Sequence, residues 1–364
     1  MTMLRNSAQT GLATTDNNGS QTLNSQSQTA SAIKVGIDDG FAYTKLALAD
    51  GRLLATPSRA QIGRSKVSWI SQAERRIFEY QTDGTVYSVG DVEAAATRFE
   101  GYASSGMNRA IVQHALQQAG LENADVDAVS GLPVSAFYRN SGAKRQSAIN
   151  DKRQNLLIPV TPRSEACPVE IVCHQVIPEA LAAWYDYVIV EQNGKASLDQ
   201  ARVSAPIAVV DIGGRTTDTV VVRDQGILHQ SSGSFEYGLL DVKQALADAL
   251  QGRFDLETVA DRLLTRAVQN RVVRLFGRDH NVAAEVSAAK QELVERIYSE
   301  TRRQLGRAID LDTVLFVGGG AVALADHITD WFPNQQIAEQ PAFANARGML
   351  KYLQYVCERA DAAE

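Results

Sequence analysis

Ile33-Lys34-Val35-Gly36-Ile37-Asp38-Asp39-Gly40 and Ile207-Ala208-Val209-Val210-Asp211-Ile212-Gly213-Gly214 are the two stretches whose reading decides the fold. Each is a short apolar run of the kind that forms a buried strand, closed by an acidic-glycine turn. A second apolar run follows each turn, residues 46–49 in one and 219–222 in the other, and each ends in a further turn at Asp50-Gly51 or Asp224-Gln225-Gly226. One hairpin is thus written twice, roughly half the chain apart, which predicts a duplicated α/β domain with a cleft between the halves rather than a solenoid. Glycine lets backbone amides approach a polyphosphate, and an aspartate at a strand end can hold the water shell of a magnesium ion. Two such hairpins face to face would grip one nucleotide from two sides.

A third element sharpens this. Val314-Leu315-Phe316-Val317 reads as a buried strand running into Gly318-Gly319-Gly320 and then a helix through Ala323 and Leu324, which places a pliable backbone and a helix start where an anion or ribose can sit. No Gly-Lys-Ser or Gly-Lys-Thr follows, so this is not a Walker loop, and the glycine spacing is not that of a dinucleotide-binding turn.

Composition narrows the function. The chain has 364 residues, is 45% hydrophobic and carries a net charge of −6, without a basic run long enough for a nucleic-acid-binding arm. Direct DNA binding is not expected. No stretch reaches the roughly 18 to 20 apolar residues of a membrane span and no signal peptide is evident, so the expected location is cytoplasmic. Cys167, Cys173 and Cys357 fit plain buried or semi-buried thiols better than a disulfide framework or a zinc site. Residues 1–31 are rich in Ser, Thr, Gln and Asn and predict a disordered tail.

From Ile33 onward, strands and helices alternate. Asp83-Gly84 reads as a turn between strands, 108–118 as a helix with Ile111, Val112, Ala115 and Leu116 on one face, and 126–129 as a strand. Residues 139–154 look like an exposed loop, with strands expected over 156–160 and 169–173. Pro178-Glu179-Ala180 is expected to open a helix, with Glu179 as a first-turn acid. A charged loop is expected over 191–200, helices over 239–250, 256–272 and 283–305, and a last helix over 343–356.

Taken in order, Asp38-Asp39-Gly40-x4-Lys45, then Asp211-Ile212-Gly213-Gly214-Arg215-Thr216-Thr217-Asp218, then Gly318-Gly319-Gly320-Ala321, the motifs resemble the two phosphate motifs and the adenosine motif of the actin and sugar-kinase superfamily. Gly131-Leu132-Pro133, Pro178-Glu179 and Phe343-Ala344-Asn345-Ala346-Arg347-Gly348 most resemble the ParM/StbA family of plasmid-segregation actins. The resemblance implies an actin-like α/β fold of duplicated ribonuclease-H-like domains around a nucleotide cleft. It divides the chain at 32–180, rejoined by 335–357, and 181–334.

The same resemblance implies roles. Lys45 would touch the β- and γ-phosphates, Asp38 and Asp211 would order Mg2+ and its waters, and Gly213 and Gly214 would donate amides to the phosphates. Asp39, Gly40, Arg215 and Thr216 stand within the same phosphate motifs, and Gly318, Gly319 and Gly320 would pass beside the ribose and α-phosphate. Glu179 would position the attacking water, with Asp211 beside it. Asp39 is open to a structural role, Thr216 to a turn-forming one, and Asp218 either acts with Asp211 or caps the turn. Phe41 and Ala42 stand where actin has a serine and a glycine, removing one hydroxyl from the first loop.

The function implied is an ATPase, or GTPase, that polymerises with nucleotide bound and segregates plasmid DNA through a small ParR-type DNA-binding adaptor, touching neither DNA nor membrane itself. The alternative is a small-molecule kinase or another non-polymerising ATPase of the superfamily, which would need its own general base and acceptor pocket.

Overall fold

Ile33–Asp39 (β1) and Tyr43–Leu48 (β2) form the first hairpin, in a computed structural model that describes residues 31–71, 76–93, 97–192 and 195–357. The expected tail and the polar end after Cys357 lie outside the described residues. Leu53–Pro57 (β3) extends the hairpin sheet, and Ala60–Ile62 (β4), Ile77–Thr82 (β5) and Thr85–Gly90 (β6) build a separate small sheet. The β5 to β6 turn is Asp83-Gly84, both at positive φ, which suits a tight hairpin. Then follow Gly106–Gln118 (α1), Asp125–Leu132 (β7), Val134–Phe137 (α2), Gln146–Leu157 (α3), Thr161–Pro162 (β8), Glu170–Pro178 (β9) and Leu181–Val188 (α4).

The second half begins with a small hairpin, Ile189–Gln192 (β10) and Lys195–Leu198 (β11), and a short helix Gln200–Ser204 (α5). The repeated hairpin is Ile207–Ile212 (β12) with Thr217–Arg223 (β13), flanked by Gly226–Ile227 (β14) and Gly233–Phe235 (β15). Leu239–Phe254 (α6), Asp261–Asn270 (α7), Val272–Leu275 (β16) and Arg278–Asn281 (β17) form a side lobe. Ala283–Leu305 (α8), Thr313–Val317 (β18), Gly318–Ala323 (α9), Gln335–Ile337 (β19) and Ala344–Tyr352 (α10) complete the chain.

The two main sheets have one topology. Their strand orders are β3-β2-β1-β7-β9 and β14-β13-β12-β18-β19, each an antiparallel hairpin continued by parallel strands. Helices cover both faces, so β12 is buried along its whole length, as parallel sheets require.

Helix α10 is set against β1 and α4 of the first half by backbone contact rather than by side chains. A Cβ on Gly36 of β1 would overlap the Ala346 carbonyl, and one on Gly348 would overlap the Ala182 carbonyl of α4. Arg347 and Lys351 pair with the half-sunken Asp186 of α4 at 2.5 and 2.8 Å. Across from them, Ala180, Trp184 and Val188 share an apolar cluster with Val209, Val220 and Val317, so this side of the molecule is sealed by hydrophobic burial.

Several sequence expectations are corrected. Residues 139–154 are not a loop: α3 takes up most of them, and its inward positions are Ile149, Lys152, Asn155 and Leu156, a helical stripe in which two members are polar and so hide the period. The strand expected over 156–160 is instead the end of that helix and an extended lead into β8. Pro178 ends β9, Ala180 sits at φ 60, and α4 starts at Leu181, so Glu179 lies in the strand-to-helix turn and not in a helix first turn. The stretch 191–200 pairs as β10 and β11, and 256–272 holds only α7 before β16. Cys167 and Cys173 are exposed, and the glycines of 318–320 belong to α9 itself.

Because both glycines of α10's contacts face backbone, Gly36→Ala and Gly348→Ala should each destabilise by about 2–4 kcal/mol in denaturant titrations. Gly252→Ala, in α6 with open space around its Cβ position, should instead stabilise by about 0.5–1 kcal/mol. Equal stability of the three variants would remove the close-contact account.

Candidate functional site

Strand register sets the site. In the first hairpin Asp38 is the partner of Lys45, and in the second Asp211 is the partner of Asp218, at the same spacing along the chain. The two turns meet: a Cβ added to Gly214 would lie 2.9 Å from the Cβ of Ala42. The twin hairpins therefore face each other.

Lys45 Nζ donates to Asp38 Oδ2 at 2.7 Å. Burial alone would lower the pKa of this amine, but Asp38, and more weakly Asp211 and Glu179, outweigh it and hold the ammonium above its ordinary range. Asp211 Oδ2 accepts from Asn345 Nδ2 at 2.6 Å, and the Asn345 Oδ1 accepts from the Ala180 amide at 3.2 Å. Burial, then Asp38 and Asp218, push the Asp211 carboxyl up to about 7 against the opposing pull of Lys45 and Asn345. Asp218 accepts from the Val134 amide at 2.7 Å, from Thr216 Oγ1 at 3.0 Å and from Ser234 Oγ; burial still raises its pKa.

Glu179 completes the group. Its side chain lies over Gly131, where a Cβ would come within 2.7 Å of Glu179 Cγ. Desolvation first, then repulsion from Asp218, Asp38, Asp211 and Asp39, hold its carboxyl well above the usual range. Asp38, Asp211 and Glu179 thus converge around one ammonium, that of Lys45, with Asp218 crowding Asp211 and Glu179 from the second hairpin.

That donor set fits a divalent cation held through water. Among the described residues no group of three or more His, Cys, Asp or Glu side chains is gathered for direct coordination, whereas Asp211, crowded by Asp38 and Asp218, presents a carboxyl that no ammonium pairs directly. A Mg2+ ion that keeps several of its waters suits that arrangement. Gly318 fits the same reading: its φ is 87, and a Cβ there would overlap Asp211 Oδ1. Gly320 is required by packing against Ile212, while Gly319 has only Leu239 Cδ1, at 3.8 Å, near its Cβ position and is the open member of the three.

Other sequence candidates point elsewhere. Asp39 accepts from Asn108 Nδ2 at 2.6 Å and pairs with Lys152, whose side chain is only 1% exposed, so it anchors the turn from below. Arg215 stacks on Phe41 with its guanidinium carbon 5.2 Å from the ring centre and pairs with Glu236 at 3.2 Å. The Gly213 amide donates to the Thr216 carbonyl at 2.9 Å, closing its own turn, so it is not open to a phosphate. The Gly40 carbonyl accepts from Ser58 Oγ at 2.7 Å. Phe41 fills an apolar space against Tyr102, ring centres 5.1 Å apart. Sequence reasoning missed Asn345 as the residue that orients Asp211; its signal was an amide on the buried face of an otherwise apolar helix segment.

Comparison with known proteins agrees with this geometry. Residues 33–189 match the family model described as plasmid segregation protein ParM, N-terminal, and residues 209–330 match that of the archaeal actin homologue MreB-like, C-terminal. An archaeal actin homolog of Thermoplasma acidophilum is 26% identical over 341 residues, covering 87% of this chain and 97% of the relative. A 15-stranded ParM filament from Clostridium botulinum superposes with a TM-score of 0.70 at 18% identity, covering 89% of this chain and 99% of that one. An archaeal actin homolog in complex with ADP superposes with a TM-score of 0.68 at 21% identity, covering 88% and 99%. The chain has the actin-like ATPase fold, with ParM-like similarity in its first half.

The crowding of carboxyls sets a pH dependence of stability in the absence of cation and nucleotide. Asp211 binds its proton more tightly folded than unfolded, so the stability it contributes is full below about pH 4 and is lost as pH rises through about 7. His114 and His174, both lowered to about 4 by burial, stay neutral across that upper range. In EDTA the protein should melt lower at pH 8 than at pH 6, and Asp211→Asn should raise stability at pH 8 by on the order of 2–4 kcal/mol. A lower melting temperature for Asp211→Asn at pH 8 would contradict the repulsion.

Proposed function

We propose that this actin-like chain is an ATPase that assembles into filaments with nucleotide bound and, through a small DNA-binding adaptor, moves plasmid DNA. The observation that carries the reading is the meeting of the two hairpin turns with Lys45 on one side and Asp211, Asp218 and Glu179 on the other. Lys45 supplies positive charge to the terminal phosphates. Asp38 and Asp211 hold the hydrated Mg2+, which neutralises charge on the phosphate oxygens when bound.

Glu179 orients the attacking water and accepts its proton. A carboxyl with a raised pKa is a better base than an ordinary one, and among the described residues no hydrogen-bond donor occupies it. Phosphoryl transfer needs in-line water, charge neutralisation and a rigid cradle rather than a covalent nucleophile, and the site offers that combination. Asp218, by contrast, already accepts from Val134, Thr216 and Ser234, which makes it a poor base for an acceptor hydroxyl and counts against a small-molecule kinase.

Self-assembly is supported by the likeness to a ParM filament, and the plasmid role by the ParM-type match over residues 33–189. The net charge of −6 favours an adaptor over direct DNA contact. The base is ATP's adenine in this reading, with GTP as the competitor to be tested beside it.

Pelleting and phosphate release with ATP or GTP and magnesium test the proposal. Glu179→Gln should assemble with nucleotide while releasing phosphate ~10²–10⁴-fold more slowly, and Lys45→Ala should lose nucleotide binding. Equal turnover in Glu179→Gln and the parent protein removes Glu179 from its role. A protein that stays monomeric at all concentrations with a non-hydrolysable analogue is not a filament former, and normal plasmid retention in cells lacking the chain would end the segregation reading.

A further inference from the structure

Among the described residues, ion pairs join the two walls beside the meeting hairpins. One wall is the small sheet β4, β5 and β6 with the segment after it; the other is α6 and α7. Arg59, just before β4 and 16% exposed, donates to Asp261 at the start of α7 at 2.5 Å, although 202 residues separate them. Asp261 takes Lys243 of α6 on its other oxygen at 3.0 Å. Arg98 pairs with Asp241 at 2.8 Å, and Glu93 with Arg262 at 3.5 Å. Each of these three cross-wall pairs brings opposite charges together.

No apolar cluster among the described residues joins the same walls. Ala60, Tyr80 and Val89 belong to one cluster, and Leu246, Leu250 and Leu264 to another. The opposite side of the molecule, by contrast, is closed by the apolar contacts of α4 and the backbone contacts of α10. Hydrophobic burial is insensitive to screening by salt, whereas ion pairs that reach solvent are weakened by it, the exposed Glu93–Arg262 pair most and the part-buried Arg98–Asp241 and Arg59–Asp261 pairs less. The molecule is therefore firm on one side of the hairpins and separable on the other.

The seam also reaches the hairpin turns. Asp241, held by Arg98, accepts from the Gly238 amide at 2.9 Å, and the next residue back, Leu240, donates to the Gly214 carbonyl at 2.8 Å. On the other wall Thr97 donates to the Phe41 carbonyl at 2.6 Å, beside the Phe41 ring on which Arg215 stacks. Both turns that would cradle phosphate are thus tied to the ends of the ion-pair seam.

From this we infer that the Arg59–Asp261–Lys243, Arg98–Asp241 and Glu93–Arg262 pairs form an electrostatic latch that closes the cleft and sets how fast nucleotide is admitted and released. The inference rests on the nucleotide reading of the site and adds its regulation. Opening the latch separates β4 to β6 from α6 and α7 while α4 and α10 act as the fixed side. Ionic strength, or any partner that offers competing charge to Asp261 or Arg59, then controls exchange without touching the hydrolytic residues.

Stopped-flow release of N-methylanthraniloyl-ADP, with the GDP analogue alongside, from the full chain at low and high potassium chloride tests the latch. Release should quicken with salt in the parent protein, be about five-fold faster in Arg59→Gln at low salt, and depend on salt much less in that variant, with single-turnover hydrolysis unchanged. Glu93→Arg and Arg262→Glu, both at exposed positions, should each speed release, and the double reversal should return it towards the parent rate. The seam can also be read without nucleotide, by energy transfer between labels at Ile62→Cys and Arg266→Cys in a background where Cys167, Cys173 and Cys357 are serine. Labels that separate with salt while neither probe binds uphold the latch and overturn the nucleotide reading. Label separation and release rates indifferent to both salt and Arg59→Gln overturn the latch itself.

Discussion

Four mutually crowding carboxyls, three of them gathered around the ammonium of Lys45, are the constraint on which the rest of the structure depends. Asp38, Asp211, Asp218 and Glu179 repel one another in a half-closed space, and Lys45 answers only one of them by direct hydrogen bond. A chain free to relax would move these groups apart. It does not, because each is fixed by register or by a backbone contact: Asp38 and Asp211 by their hairpins, Asp218 by three donors, Glu179 by the turn between β9 and α4. Such stored repulsion is the usual mark of a site whose ligand brings the missing positive charge.

Holding that arrangement falls to α10 more than to any strand. The helix touches β1 at Gly36 and α4 at Gly348 through backbone, and from that fixed position Asn345 reaches both Asp211 and the amide next to Glu179. One amide therefore couples the second hairpin to the turn that carries Glu179. The return of the last helix to the first half, which the resemblance to plasmid-segregation actins implied, acquires a physical purpose here: it ties the two acidic groups to one rigid element.

How much of this the sequence disclosed depended on whether burial was apolar. The twin hairpins, β18 and α8 were legible because their inward residues are Val, Ile, Leu and Ala at strand or helix period, and the glycine triplet because no side chain fits beside Asp211 and Ile212. Helix α3 was not legible, since Lys152 and Asn155 face inward and read as surface residues until Asp39 and Arg109 are seen as their partners. The same blindness applied to Asn345 and to the turn at Glu179, where Ala180 at φ 60 takes a conformation that its identity does not announce. Long-range ion pairs such as that between Arg59 and Asp261 leave no periodic trace at all.

Duplication explains the fold, but the chemistry comes from where the two copies differ. At one register position the first hairpin has Lys45 and the second has Asp218; both face the carboxylate that ends the neighbouring strand. A lysine beside an aspartate makes a neutral pair that can lend positive charge to phosphate. An aspartate beside an aspartate makes a pair that must share a proton or find a cation, and it raises the basicity of the nearby Glu179. Had both hairpins kept lysine, Asp211 would be neutralised as Asp38 is and the repulsion on Glu179 would fall; had both kept aspartate, no ammonium would offset the crowded carboxyls. Opposite charges at equivalent positions on facing hairpins are what turn a symmetric scaffold into an asymmetric site, with an ammonium on one hairpin and an unpaired carboxyl pair on the other.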